Sequence, residues 1–307
     1  MQQKPVVILG VFVADTAFRA ERQPRMGETI LGNSFTLGPG GKGSNQAVAA
    51  ARLGADVHFI SRLGADPFGE MAIATWAEAG VKPAVTRDPA SYTGAAYIFV
   101  EAATGDNAII IAPGAAATIS PADIDAQAAL IRGAGVFVTQ LEQPLPAAAR
   151  ALLIAHKAGV TTILNPAPAQ PLGDDLLMLC DYVTPNETEA EALTGIAVHG
   201  VEEARAAAEV FLARGVRAAV ITLGERGALY HAQGRSELVP AIGAGAVIET
   251  TGAGDAFNGG LATALARGLD PVEAVRFGCA VAGISVTRPG TAPSMPTLAE
   301  VEALLAR

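Results

Sequence analysis

Residues 136–164 run Val136-Phe137-Val138-Thr139-Gln140-Leu141-Glu142-Gln143-Pro144, Leu145-Pro146-Ala147-Ala148-Ala149-Arg150-Ala151-Leu152-Leu153-Ile154-Ala155-His156-Lys157-Ala158-Gly159 and Val160-Thr161-Thr162-Ile163-Leu164. Val136 to Val138 is a short apolar run. Residues 144–158 carry a helical pattern, Gly159 stops it, and Val160 to Leu164 is apolar again. The same unit recurs on both sides. Before it come a strand Val6 to Leu9 ending at Gly10, a helix over 43–53 closed by Gly54, a strand Val57 to Ile60, and a helix Pro67 to Ala79 ended by Gly80. After it come a helix over 201–214, Gly215, and a strand Ala218 to Leu223. Strands that are apolar at nearly every position are buried on both faces. The alternation therefore predicts an α/β fold whose mostly parallel central sheet is covered by helices on both sides.

Two segments break the pattern. Residues 11–37 hold charges, Pro24 and Gly27, with little helical period, and residues 91–111 look like a hairpin around Thr104-Gly105-Asp106-Asn107. They are extra strands, either a lid or association surface outside the main sheet or ordinary edge strands of it. At 307 residues the chain can bury a sizeable core, and 50% hydrophobic against 17% charged residues argues against disorder. A net charge of −9 without a dense Lys/Arg block disfavours nucleic acid or an anionic membrane as partner. Cys180 and Cys279 are unpaired in spacing and suit a reducing cytoplasm; the N-terminus enters a strand directly, without the pattern of a signal peptide. No apolar run reaches the ~20 residues of a membrane span.

The most chemically loaded stretch is Glu249-Thr250-Thr251-Gly252-Ala253-Gly254-Asp255-Ala256-Phe257-Asn258-Gly259-Gly260, followed by a helical pattern to Arg267 and a stop at Gly268. Amides without partners at a helix start, approached closely past small residues, hold a phosphate. Asp255 beside that anion could take a proton from an attacking hydroxyl, which suggests phosphoryl transfer to an alcohol; alternatively Asp255 caps the helix. In Gly38-Pro39-Gly40-Gly41-Lys42-Gly43-Ser44-Asn45, Gly38, Gly40 and Gly43 satisfy a dinucleotide-binding spacing. The cleanest first strand nevertheless ends at Gly10, and Asp56 follows too soon to be the ribose-binding acid. Lys42 and Asn45 at the mouth of this turn suit a sugar. Asn186 and Glu189 have the spacing of a capping box, or sit near a hydrated Mg²⁺. Thr222-Leu223-Gly224-Glu225-Arg226-Gly227 closes a strand, where ligands of open sheets bind.

Together these pieces resemble the ribokinase (PfkB) family of small-molecule kinases, from Val6 to about Ser294. The resemblance is carried by Gly40-Gly41-Lys42-Gly43-Ser44-Asn45-Gln46-Ala47-Val48-Ala49-Ala50, Gln140-Leu141-Glu142, Asn165-Pro166-Ala167-Pro168-Ala169, Thr184-Pro185-Asn186-Glu187-Thr188-Glu189-Ala190-Glu191, Thr222-Leu223-Gly224 and Gly252-Ala253-Gly254-Asp255. It implies a single ribokinase-like three-layer αβα domain over 1–307. The small β-sheet lid inserted from about 11–37 and 91–111 would double as a homodimer interface. It also implies ATP-dependent phosphorylation of a pentose at its primary hydroxyl, D-ribose giving D-ribose 5-phosphate. Alternatives are 2-deoxyribose, a ketose or a nucleoside as acceptor, a nicotinamide-dependent oxidoreductase, and a non-catalytic sugar sensor.

By resemblance the sugar pocket uses Asp15, Gly41, Lys42, Asn45 and Glu142. Asp255 is then the general base, and Gly252, Ala253 and Gly254 form the anion hole. Asn186, Thr222, Gly224, Gly227, Gly254 and Cys279 lie around ATP, and Glu189 serves Mg²⁺, through water. A monovalent cation, K⁺, maps to Glu249, Thr251, Ser285, Arg288, Gly290 and Ser294. The sequence departs from the family in two places. Val13-Ala14-Asp15 stands where Asn-Ala-Asp is usual, so one sugar contact is lost. Glu249 stands where Asp is usual, which bears on K⁺.

Overall fold

The computed structural model describes residues 4–307; Met1 to Gln3, the first residues of the domain expected over 1–307, lie outside the described residues. In chain order the strands are β1 Val6–Leu9, β2 Val13–Ala20, β3 Ser34–Gly40, β4 Val57–Gly64, β5 Lys82–Asp88, β6 Thr93–Glu101, β7 Asn107–Gly114, β8 Val136–Thr139, β9 Thr161–Leu164, β10 Tyr182–Val183, β11 Ala218–Thr222, β12 Ala228–Ala232 and β13 Arg235–Val239. Nine of them form one sheet in the order β13-β12-β11-β10-β9-β8-β1-β4-β5. From β11 to β5 every pairing is parallel, and β12 and β13 close one edge antiparallel. The link Gln233-Gly234 is too short for a crossover, so β12 and β13 can only form a hairpin.

Alternation along β1 shows why the strands read as continuous apolar runs. Val6 and Ile8 belong to one buried cluster and Val7 and Leu9 to the other, all at 0% exposure. The first cluster sits under helices Lys42–Arg52, Ala253–Ala266 and Pro271–Ser285; the second sits under Leu145–Lys157 and Val201–Ala213. Each such side chain contributes about 1.5–3 kcal/mol on burial, enough to fix a three-layer arrangement. In the 136–164 unit, Val136 pairs with Thr161 and Thr139 with Leu164. The carboxyl ends of β1, β8, β9 and β11 therefore open on the same edge of the sheet.

The segments expected outside the main sheet form a second sheet, β3-β2-β6-β7. It leaves large apolar side chains in solvent. Phe18 packs against Phe35 with ring centroids 4.9 Å apart and planes tilted by 46°, yet both stay exposed, as do Leu37 and Ile109 to Ile111. The helices and strands expected from the sequence fall within a few residues of those observed, with β4 running on to Gly64. Strand β5 and the β12–β13 hairpin were not legible. Edge strands carry polar residues such as Arg87, Asp88, Arg235 and Glu237, which blur the apolar signal. No helix among the described residues is long and apolar enough to cross a membrane.

Candidate active site

The turn before helix Ala253–Ala266 is shaped by Gly252, whose φ of +81° lies in the left-handed region that favours glycine. A Cβ there would meet Thr291 at 3.3 Å. The Ala253 amide is taken by the Thr250 carbonyl at 3.1 Å. Those of Gly252, Gly254 and Asp255 have no acceptor among the described residues and remain available to an anion. Asp255 does not cap the helix; Gly252 occupies that position. Its carboxylate is buried, accepting from Asn45 Nδ2 at 3.0 Å and from Gln46 Nε2 at 3.1 Å. Burial pushes its pKa up, against the pull of Lys42 and of the two amides.

Across from it, Gly41 turns the chain at φ +90°, and a Cβ at that position would lie 2.5 Å from the Val11 carbonyl. This lets helix Lys42–Arg52 start hard against the end of β1. The Lys42 amide donates to Glu142 Oε2 at 2.8 Å. Asp15 on β2 lies over Gly40, where an added Cβ would come within 2.1 Å of its Oδ2. Burial raises Asp15 to about 6, with Asp255 adding to the shift. Glu142 is raised to about 7, again by burial first; Lys42 opposes the shift, and Asp255 and Asp15 add to it. The Asn45 Oδ1 is buried without a protein partner, as an atom awaiting a ligand hydroxyl would be. Asp15, Gly41, Lys42, Asn45, Glu142 and Asp255 are thus brought into one neighbourhood.

A cavity of ≈ 160 Å³ joins this neighbourhood to the sheet edge, lined among others by Lys42, Asp255, Gly254, Asn186, Glu189 and Thr222. Asn186 and Glu189 form the capping box that their spacing suggests, Asn186 N donating to Glu189 Oε2 at 2.9 Å and Glu189 N to Asn186 Oδ1 at 2.8 Å. Asn186 is also bridged to Thr222 as in a parallel ladder. Glu189 Oε1 is left free at the cavity, and burial pushes this carboxyl up. Gly224 has open space where a Cβ would stand, so a ligand can pass close there. Gly227 is needed for a different reason: a Cβ would strike the Val239 carbonyl at 2.0 Å. Cys279 is buried in helix Pro271–Ser285 and is absent from the cavity wall.

The residues mapped to a monovalent cation converge where that helix ends. Glu249 Oε2 accepts from the Gly290 amide at 2.8 Å, and the Glu249 amide donates to the Val286 carbonyl at 3.2 Å. The carbonyls of Thr251, Arg288, Gly290 and Ser294 accept no hydrogen bond from the described residues. Such a set of unpaired oxygens fits a hard monovalent ion. The Arg288 guanidinium is paired with Glu300, leaving only its backbone for that purpose.

Of the dinucleotide-spaced glycines, Gly40 and Gly43 have a steric reason instead, while Gly38 has open space where a Cβ would stand. Gly38 and Gly40 lie in β3 of the second sheet, and a Cβ on Gly43 would sit 2.7 Å from the Gly10 Cα. Sequence reasoning assigned no role to the polar side chains beneath the site, Gln46, Gln140, Asn165, Thr184 and Asn258, all buried. The available signal was a run of amides and hydroxyls at strand ends and in an alanine-rich helix, where apolar residues are the rule.

Residues 3–298 match the model of the pfkB family carbohydrate kinases. The chain is 42% identical over 299 residues to a ribokinase of Haemophilus influenzae, covering 97% of both chains. It is 36% identical over 295 residues to a deoxyribokinase of Salmonella typhimurium, covering 95% of this chain and 96% of that one. A solved structure of Arabidopsis thaliana ribokinase complexed with ribose and ATP superimposes with a TM-score of 0.94 over the whole of both chains, at 32% identity.

Proposed function

The chain belongs to the pfkB family of carbohydrate kinases, and from that premise we propose that it transfers the γ-phosphoryl group of ATP to the primary hydroxyl of a pentose, D-ribose giving D-ribose 5-phosphate. The observation that carries this reading is the Asp255 carboxylate, buried, held by two amides and flanked by free helix-start N–H groups, at a cavity shared with Lys42. The ribokinase names of its relatives and the ribose and ATP of the Arabidopsis complex support the choice of acceptor and donor.

Asp15, Asn45 and Glu142 orient the sugar through its hydroxyls, with Gly41 and Lys42 at the pocket mouth. Asp255 accepts the proton as the primary oxygen attacks phosphorus. The amides of Gly252, Gly254 and Asp255 take up the charge that develops on the transferred group, Ala253 giving the turn its shape. Asn186, Thr222 and Gly224 border the nucleotide. Gly227 holds the loop beneath it, and Cys279 backs the helix behind it. Mg²⁺, held by Glu189 Oε1 through water together with substrate phosphates, would supply charge neutralisation there. A monovalent cation, K⁺, would be held by Glu249 and the carbonyls around it, steadying the anion-binding turn.

The second sheet is the lid over the sugar and the surface on which two copies pair, since its apolar side chains are otherwise left in water. The free, buried Cys180 and Cys279 suit the cytoplasm as the compartment. One observation favours 2-deoxyribose as a second acceptor. Val13, buried in the strand that carries Asp15, cannot bond a hydroxyl, and a deoxyribokinase is among the relatives. The test is ADP release from ATP with ribose, 2-deoxyribose, fructose and adenosine, run with K⁺ and Na⁺ in parallel. Ribose with the highest kcat/KM supports the proposal. Turnover confined to a nucleoside, or no ADP with any acceptor, overturns it.

A further inference from the structure

Gln46 has no exposure to solvent, and its amide is fully used. Nε2 donates to Asp255 Oδ1 and to Asn165 Oδ1, both at 3.1 Å, and Oε1 accepts from Gln140 Nε2 at 2.7 Å. A primary amide has two N–H donors and one acceptor oxygen. Turning it over would set Oε1 against the oxygens of Asp255 and Asn165, so these two partners forbid the reversed orientation, and Gln140 supplies the donor that Oε1 then needs. Gln140 is itself wedged in place: a Cβ on Gly10 or on Gly43 would come within 2.6 or 2.7 Å of its Oε1. The chain continues beyond Asn165, whose Nδ2 donates to the Thr184 carbonyl at 2.9 Å. Thr184 Oγ1 donates to Asn258 Oδ1 at 2.7 Å, and Asn258 Nδ2 to the Gly254 carbonyl at 2.8 Å. One buried series of amides and hydroxyls thus links the Asp255 carboxylate to the backbone of the anion-binding turn.

We propose that Gln46, held in place by Asn165 and Gln140, is a positioning residue that keeps the Asp255 carboxylate aimed at the acceptor hydroxyl. The inference deepens the general-base reading of Asp255 and rests on it. Asn45, the other donor on that carboxylate, keeps a buried Oδ1 free for the proposed sugar, whereas every hydrogen-bonding atom of the Gln46 amide is spent within the protein. A neutral donor suits the task. A cation would drain the carboxylate's basicity, and an acid would repel it. The charged groups facing Asp255 are Lys42 on the same helix as Gln46, Asp15 on β2, Glu142 beyond β8 and Glu189 on helix Glu187–Thr194. Among them Lys42 alone favours the ionised form, and hydrogen bonds from Asn45 and Gln46 supply the rest.

The test compares Gln46→Leu, Gln140→Leu and Asp255→Asn with the parent enzyme, measuring kcat, both KM values and the acid limb of the kcat–pH profile. For Gln46→Leu, kcat should fall roughly 10- to 100-fold, the loss typical of a misplaced catalytic group. The KM for ATP should change by less than about threefold. The acid limb should move to higher pH, because a carboxylate stripped of a donor protonates more readily. Gln140→Leu, which leaves Gln46 in place but unlocked, should move the same quantities in the same direction by less. It carries the test if Gln46→Leu shows no cooperative unfolding transition. An unchanged kcat and acid limb in the variant that folds overturns the positioning role while Asp255→Asn remains inactive. Normal turnover by Asp255→Asn overturns the base reading and the positioning role together.

Discussion

Asn45 Nδ2 donates to Asp255 Oδ2 at 3.0 Å, joining the start of helix Lys42–Arg52 to the start of helix Ala253–Ala266 across 210 residues of sequence. One side chain thereby touches the proposed base with its nitrogen and leaves its buried oxygen without a protein partner, free for the proposed sugar. Asn45→Leu should raise the KM for ribose and lower kcat together, with the KM for ATP unmoved. It should also cost about 1–3 kcal/mol of stability, from a buried carboxylate oxygen left unpaired. Steady-state kinetics beside urea unfolding separates the two effects; lost stability with intact kinetics would remove Asn45 from the sugar pocket.

Three carboxylates share the pocket, and pH should read them out. Asp15 is raised to about 6 and Glu142 to about 7, above their unfolded values near roughly 4. The native state therefore holds these protons more tightly than the unfolded chain, and their contribution to stability is lost as pH rises through about 4 to 7. The sugar-free Tm should fall across that window, and Glu142→Gln should flatten the fall. In the proposed pocket sugar hydroxyls would donate to the ionised carboxylates, so ribose affinity should rise with pH over the same range and binding should release protons. Calorimetry in buffers of different ionisation heat measures that release; proton uptake would contradict it.

Val13 is 4% exposed and stands two residues before Asp15 on β2, hence on the same face of the strand. Val13→Asn should restore a hydroxyl partner worth ~0.5–1.5 kcal/mol, shifting the ribose to 2-deoxyribose ratio of kcat/KM by up to roughly tenfold toward ribose. A ratio identical to that of the parent would place Val13 away from the sugar.

Ile110 is 68% exposed in β7, the edge strand of the second sheet, between the likewise apolar and exposed Ile109 and Ile111. A charge there should prevent burial against a second copy. With the second sheet as the proposed dimer interface, the parent is expected to sediment as a dimer and Ile110→Asp as a monomer. A dimer that persists would move the interface elsewhere.

The central layer was legible because burial on both faces forces continuous apolar strands, and glycine stops such as Gly54, Gly80 and Gly159 frame the helices, each adopting positive φ. Half of the second sheet was legible as the hairpin around Thr104 to Asn107, which pairs β6 with β7; the 11–37 half showed only as a departure from helical period. The ends of the site were marked by residue types with one use, such as Asp255 behind three small residues. The middle was not. Gln46, Gln140 and Asn165 acquire their role from contacts between residues 94 to 209 positions apart, which local spacing does not encode. Gly43 misled in the other direction. Its spacing suggests a ligand, whereas the structure gives it a packing task against Gly10.

The central claim is that the Asp255 carboxylate takes the proton of the sugar's primary hydroxyl. Its most direct measurement is the turnover of Asp255→Asn with ribose and ATP, beside ATP binding by calorimetry. Loss of general-base catalysis should lower kcat by about 10²- to 10⁴-fold while ATP affinity persists. Turnover equal to the parent's would contradict it.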